Sequence, residues 1–411
     1  MEPRETEFEW LERFGTRIEE FKGEGQLVVS DELSMPCVFD CVYLDDGRIL
    51  TECHAAASIA SLPLSPFTNA APVQLEGYTT EGLHLLAEKA TTQRFEFSTA
   101  PDTPSRMLLR CPRVNVSSAE PSGLAPLRLA YGLTNLEFLG DEVRDFVTDG
   151  RRRISRDTFR FQVASTEITV RQVPEYREIV EQMKATRSLA VTADATVELP
   201  DSSASLQPWD DMMDIVCTLL SLANGSKVRW VYSKLVSQVG ELVSMRMLMR
   251  PSRFWVPGGA LIGGATAAEL KAFLARSYGP YLQAHDIYNL PVAIGYYLAS
   301  KSESEWNTRF LLACIAMETL KANFAKHGSH RGSFRTLVKK MLAQLKIEYT
   351  QDDLRFIRVR DKVVHTGQLG KSFRETWGTY SNLIRLLDRI FVRILRYEGE
   401  YLNYADQWRL M

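Results

Sequence analysis

Apolar residues recur at two different periods along this chain, and the change between them divides it. Short alternating runs fall at 26–29, 37–44, 48–53, 72–78, 93–98, 106–111, 127–135, 158–164 and 167–173, many bounded by Gly, Pro, Asn or Asp. Leu127, Leu129, Tyr131 and Leu133 are the clearest period-two set. This pattern predicts an antiparallel β-rich region. Ahead of it, Phe8, Leu11, Phe14, Ile18 and Phe21 stand at helical spacing, which predicts a short amphipathic helix over 7–21.

The period then lengthens. A polar stretch around Asp194–Pro208 reads as a linker, and Trp209, Met212, Val216, Leu219 and Ala223 mark a helix that stops before Gly225. Val228–Tyr232 and Leu242–Leu248 read as strands, and Pro257–Ala265 as a glycine-rich loop. From about Ala267 the chain reads as helical, with segments at 267–276, 281–299, 304–326, 333–346, 352–364 and 372–397. Trp306, Phe310, Ala313, Met317, Leu320 and Phe324 make one stripe; Trp377, Tyr380, Ile384, Leu387, Phe391 and Ile394 make another. Stripes of this kind bury against one another in a bundle. Ser333 is the expected N-cap after the turn at 327–332. The expected fold is therefore multidomain α+β: a β-rich N-terminal domain over 1–200, a mixed connecting region over 201–275 and an all-α bundle over 276–411.

Charge sharpens this division. The whole chain carries a net −2, but residues 301–411 hold 20 Lys and Arg against 12 Asp and Glu, a net of +8 that leaves −10 for the rest. A basic C-terminal part beside an acidic remainder suits either a polyanion partner or mutual docking. The acidic start, Met1–Glu12, is not expected to be a signal peptide, and no run reaches the roughly 18 apolar residues of a membrane span. Six scattered cysteines suit reduced thiols, so a cytoplasmic protein is expected. Cys37, Cys41, Cys53 and His54 lack the paired Cys-x2-Cys spacing of a zinc site, and no metal is expected.

The chemistry concentrates in Arg360-Asp361-Lys362-Val363-Val364-His365. A guanidinium grips a phosphate with a planar fork. An imidazole that titrates near neutrality can take a proton from a 2′-hydroxyl. With the helical context, the Ala316-Met317-Glu318-Thr319-Leu320 stretch and the Val364-His365-Thr366-Gly367 ending, residues 280–400 resemble HEPN-domain ribonucleases. A β-rich part ahead of such a bundle resembles the ApeA-like branch, linked to abortive anti-phage defence. The resemblance implies a cofactor-free endoribonuclease that leaves a 2′,3′-cyclic phosphate and works as a homodimer. His365 would be the acid and base, Arg360 would stabilise the pentacoordinate phosphate, Asp361 would orient one of them, and Glu318 would stand behind them.

Geometry leaves two arrangements open. Residues five apart on a continuous helix differ by roughly 140° in azimuth, so Arg360 and His365 would not share a face. Either the helix ends near Val364 or a second subunit completes the site, and both can hold together. Arg385, Arg389, Arg393 and Arg396 form a basic stripe that Lys339 and Lys340, with Arg335, would extend, either as a solvated face or as a track for the RNA backbone. The β-rich part would sense a phage-derived trigger or restrain a toxic nuclease. The rival reading is a non-catalytic HEPN module that binds nucleotide or RNA or serves in assembly. Gly367 replaces the Tyr of the Arg-x4-His-x-Tyr sub-branch paired with nucleotidyltransferases.

Overall fold

The computed structural model of the chain describes residues 17–30, 33–44, 47–55, 71–96, 105–118, 127–148, 151–186, 189–199, 205–249, 259–262, 266–366 and 372–402. In chain order the strands are β1 (Arg17–Ser30), β2 (Leu33–Leu44), β3 (Ile49–Ala55), β4 (Val73–Thr79), β5 (Leu83–Glu96), β6 (Ser105–Arg110), β7 (Arg113–Ser118), β8 (Leu127–Thr134), β9 (Glu142–Thr148), β10 (Arg151–Val163), β11 (Thr166–Gln172), β12 (Val191–Leu199), β13 (Arg229–Val236) and β14 (Leu242–Leu248). The helices are α1 (Tyr176–Thr186), α2 (Gln207–Asn224), α3 (Ala267–Tyr288), α4 (Leu290–Ser302), α5 (Trp306–His327), α6 (Phe334–Gln344), α7 (Arg355–Thr366) and α8 (Phe373–Ile394). The class is α+β, with strands dominating the first part and helices the last.

Two compact units interleave along the sequence. One comprises Met1–Thr134, Ser188–Ser205 and Trp230–Arg253; the other comprises Asn135–Arg187, Leu206–Arg229 and Phe254–Met411. Strands β9 to β11 and helix α1 thus belong with the helical unit.

In the strand-rich unit, β1, β2, β3, β6, β5 and β4 hydrogen-bond in that order, and β4 also pairs with β1, which closes a ring. Strands β6 and β7 lie end to end along β5, and β7 continues to β14, β13, β8 and β12. Alternation supplies the filling: Phe39, Cys41 and Cys53 are buried with Leu75, Leu85 and Met107. Closure needs close backbones. A Cβ on Gly77 would stand 2.7 Å from the Cα of Gly25, its partner across β1 and β4, and would meet the carbonyl of Glu24.

The helical unit centres on α5, which packs against α3, α4, α6, α7 and α8. The two predicted stripes meet: Trp306 and Trp377 stand edge to face at 5.6 Å. Phe310, Met317, Leu320, Ile384, Leu387 and Phe391 are buried, each contributing about 1.5–3 kcal/mol by leaving water. Strands β9, β10 and β11 form an antiparallel meander, and α3 packs on β10.

Several sequence expectations need correction. Arg17–Phe21 is strand, not helix, because pairing with β2 sets Phe21 opposite Cys41; residues 7–16 lie outside the described residues. Asp194–Leu199 belongs to β12 rather than to a linker, and Asp194 accepts a 2.6 Å hydrogen bond from the Tyr232 hydroxyl. Helix α3 runs through Gly279-Pro280 and stops at Asn289, whose φ of 49° ends it. Tertiary packing overrides the break, since Tyr281, Ala284 and Tyr288 continue the buried stripe of Phe273 and Leu274. The loop assigned to Pro257–Ala265 lies largely outside the described residues.

Candidate functional site

Helix α7 carries Arg360, Asp361 and His365, and its position is fixed from three sides. Its apolar residues Phe356 and Val363, two turns apart, are buried. Just ahead of it Thr350 and Asp353 cap each other: the Asp353 carboxylate accepts from Thr350 N at 2.8 Å, and Asp353 N donates to Thr350 Oγ1 at 3.3 Å. Arg389 of α8 clamps the same segment, with Nη2 3.3 Å from Asp353 Oδ2 and Nη1 donating to the Glu348 carbonyl at 2.7 Å. Arg355 at the start of α7 meets Glu375 in the first turn of α8 at 3.0 Å.

Arg360 leans from α7 towards α5 and α6. Its Nη2 lies 3.5 Å from Glu318 Oε2, its Nη1 lies 3.6 Å from Asp361 Oδ1, and its Cζ stands 5.1 Å from the Phe334 ring centroid. Lys321 completes the cluster. It donates to Glu318 Oε1 at 2.6 Å and stands 4.7 Å from the same ring. Glu318 therefore sits between two cations that share one aromatic ring. At these separations the Arg360 ion pairs are not tight hydrogen bonds, which leaves guanidinium donors for an anion. The Cys314 thiol, one turn before Glu318, is pushed up by burial, a shift Arg360 opposes and Glu318 and Asp361 reinforce. That makes it an inert neighbour, not a nucleophile.

His365 is exposed, and the helix does not end before it. Helix α7 continues to Thr366, whose Oγ1 donates to the Lys362 carbonyl at 2.8 Å. Helix α7 thus runs at least two residues past Val364. Arg360 sits beside the buried face, while His365 projects on the opposite side, roughly 140° away. Asp361 lies one turn before His365, so it neighbours both Arg360 and the imidazole.

The basic stripe is divided. Arg385 and Arg389 are half-buried, and Arg389 is committed to the segment ahead of α7, whereas Arg393 and Arg396 are exposed. On α6, Lys340 reaches the Arg331 carbonyl at 3.5 Å, Lys339 is half-buried, and Arg335 donates to Gln351 at 2.6 Å. His330 packs on Phe324 with ring centroids 4.8 Å apart. In the strand-rich unit Cys53 faces the barrel interior while His54 faces outward to Glu52 at 3.2 Å, so these two do not converge on one ion. Among the described residues no cluster of three metal-ligating side chains is present.

Sequence reasoning missed Lys321 and Phe334. The first was accessible, because Glu318 and Lys321 stand three apart on a helix. Phe334 had no signal, since only packing of α6 brings it beneath Arg360.

Residues 128–245 match the YopA central domain family. The match spans β8 to β13 and ends within β14, ahead of every residue of the Arg360 cluster. No curated protein and no solved structure matches the chain.

Proposed function

We propose that this chain is a HEPN-type endoribonuclease that cleaves RNA as a homodimer. Attack of the 2′-oxygen on phosphorus breaks the bond to the 5′-oxygen and leaves a 2′,3′-cyclic phosphate and a 5′-hydroxyl. His365 takes the 2′-proton or returns one to the 5′-oxygen. Arg360 holds the equatorial oxygens of the pentacoordinate phosphate, with its orientation set by Glu318 and the Phe334 ring. Asp361 orients the imidazole of His365. No step requires a metal.

The observation that carries the reading is the placement on α7: a guanidinium with donors left over and an exposed His365 on the same helix. Because these two point apart in one chain, a composite site would take Arg360 from one copy and His365 from the other. The strand-rich unit would restrain the nuclease until a phage-derived trigger arrives, in a bacterial cytoplasm, where a free ribonuclease is toxic.

The same divergence favours one alternative, in which Arg360 holds a phosphate and His365 does no chemistry. Incubating full-length protein with labelled RNA in the presence of a chelator separates the two. Fragments with cyclic-phosphate ends from wild type, absent with Arg360→Ala and His365→Ala, support cleavage. Intact RNA throughout, with binding lost only in Arg360→Ala, supports the binding module.

A further inference from the structure

Three cations away from the Arg360 cluster converge on a groove within the helical unit. The groove encloses about 760 Å³ between α3, the turn after α6 and the end of α8. Lys346, Arg393 and Arg396 line it, and Glu398 is the one carboxylate among the described residues of the lining. Among the described residues none of the three cations is paired with a carboxylate, whereas Arg389, one turn earlier on α8, is engaged.

The backbone adds an independent observation. Lys346 and Arg396 have φ of 54° and 51°. Each occupies the left-handed position that terminates a helix. Ile347 N donates to Leu342 O at 2.9 Å and Lys346 N to Ala343 O at 3.0 Å; Tyr397 N donates to Val392 O at 3.0 Å and Arg396 N to Arg393 O at 3.2 Å. Glycine is the usual residue there, because it alone adopts that conformation without strain. Here two helix ends, both on one groove, place a long cation in the strained position. Strain of this kind gathers where a side chain is needed for something other than the turn.

Helix C-termini carry about half a negative charge each, which alone would disfavour an anion. Three full cations against one carboxylate outweigh them. Pro280, Ile287 and Val392 supply an apolar wall, and Pro280 interrupts the hydrogen-bond ladder of α3 beside it. The volume falls within the roughly 300–1,000 Å³ of small-ligand sites. An RNA strand following α8 would also need Arg385 and Arg389, which are half-buried, so the cations form an isolated cluster and not a track.

We propose that this groove binds the phosphates of a small polyphosphate ligand, either a nucleotide or a free inorganic polyphosphate. Charge-assisted hydrogen bonds from Lys346, Arg393 and Arg396 hold the phosphates. The site is separate from Arg360 and does not depend on the ribonuclease reading.

Calorimetric titration of full-length protein with ATP and with inorganic tripolyphosphate tests this. Wild type binds at least one of them. Lys346→Gly, Arg396→Gly and Arg393→Gln each weaken binding about tenfold or more. The two glycine variants keep the unfolding midpoint or raise it by up to about 2 °C, because they relieve strained turns. Tighter binding of ATP identifies a nucleotide; equal affinity identifies free polyphosphate. Lack of binding by wild type, or binding that survives all three substitutions, overturns the proposal. So does a titration in which these substitutions weaken only the affinity for a single-stranded RNA, which would assign the groove to substrate.

Discussion

Arg360 Nη2 stands 3.5 Å from Glu318 Oε2, linking the motif helix α7 to the central helix α5. Lys321 occupies the other oxygen of the same carboxylate at 2.6 Å. Glu318 thus aims the guanidinium without consuming it.

Replacing Glu318 by Gln keeps the shape and removes the charge that aims Arg360. RNA cleavage is expected to fall about tenfold through the turnover rate, as expected when a group that stabilises the transition state is misplaced. Stability should change by less than about 1 kcal/mol, because the pair is partly exposed. Single-turnover kinetics beside urea denaturation check both; an unchanged rate would remove Glu318 from the site.

A composite site makes an unusual prediction about mixtures. Arg360→Ala and His365→Ala proteins are each expected to be inactive. Mixed and allowed to exchange subunits, they should recover up to about a quarter of wild-type activity, since half of the dimers are mixed and one of their two sites is intact. A mixture as inactive as its components would show that Arg360 and His365 do not meet across two subunits.

Lys301 offers a pH signature. It is buried with its ammonium 4.3 Å from the Tyr297 ring centroid and donates to the Gly259 carbonyl at 3.2 Å. Burial lowers it to about 8, with Asp388 opposing. The unfolded chain keeps this proton until about pH 10.4, so between about pH 8 and that value the unfolded state binds more protons and stability rises with pH. Below about pH 8, keeping the charge buried costs about 3 kcal/mol. Lys301→Met should therefore lose about 2–3 kcal/mol of stability relative to wild type as the pH is raised from 7 to 10. Denaturation curves at three pH values measure this, and parallel pH dependences would contradict it.

The barrel in the strand-rich unit depends on close backbones. Gly77→Ala would press a Cβ against Gly25 and the Glu24 carbonyl, and a loss of about 2–4 kcal/mol is expected. Gly295→Ala, in α4 with open space around it, should instead gain about 0.5–1 kcal/mol. Thermal unfolding of the two variants reads the contrast.

Truncation must respect the interleaving. Removing residues 1–200 would also remove β9, β10, β11 and α1 from the unit that carries Arg360 and His365. Such a fragment is expected to be insoluble on expression, whereas whole-chain variants of the strand-rich unit are the usable probes of restraint.

Local chemistry made much of this protein legible from its sequence. Period-two alternation gave Leu127–Thr134, and the Leu242–Leu248 strand was read to its ends. Gly225 with φ of 71° stopped α2 where expected, and Ser333 Oγ accepts from Thr336 N as its N-cap role requires. These features depend on residues a few positions apart. The two long apolar stripes likewise announced that α5 and α8 pack together.

Only tertiary structure decided the rest. Long-range pairing turned Arg17–Phe21 into strand, carried α3 through Pro280 and gathered residues 135–187 with the helices. It divided the basic stripe, because the pull of Asp353 and Glu348 on Arg389 is invisible to spacing. It also set Glu318, Lys321, Phe334 and Arg360 together and left His365 facing outward. Sequence names the groups that can do the chemistry; which of them face the same way follows from how the helices bury their apolar sides.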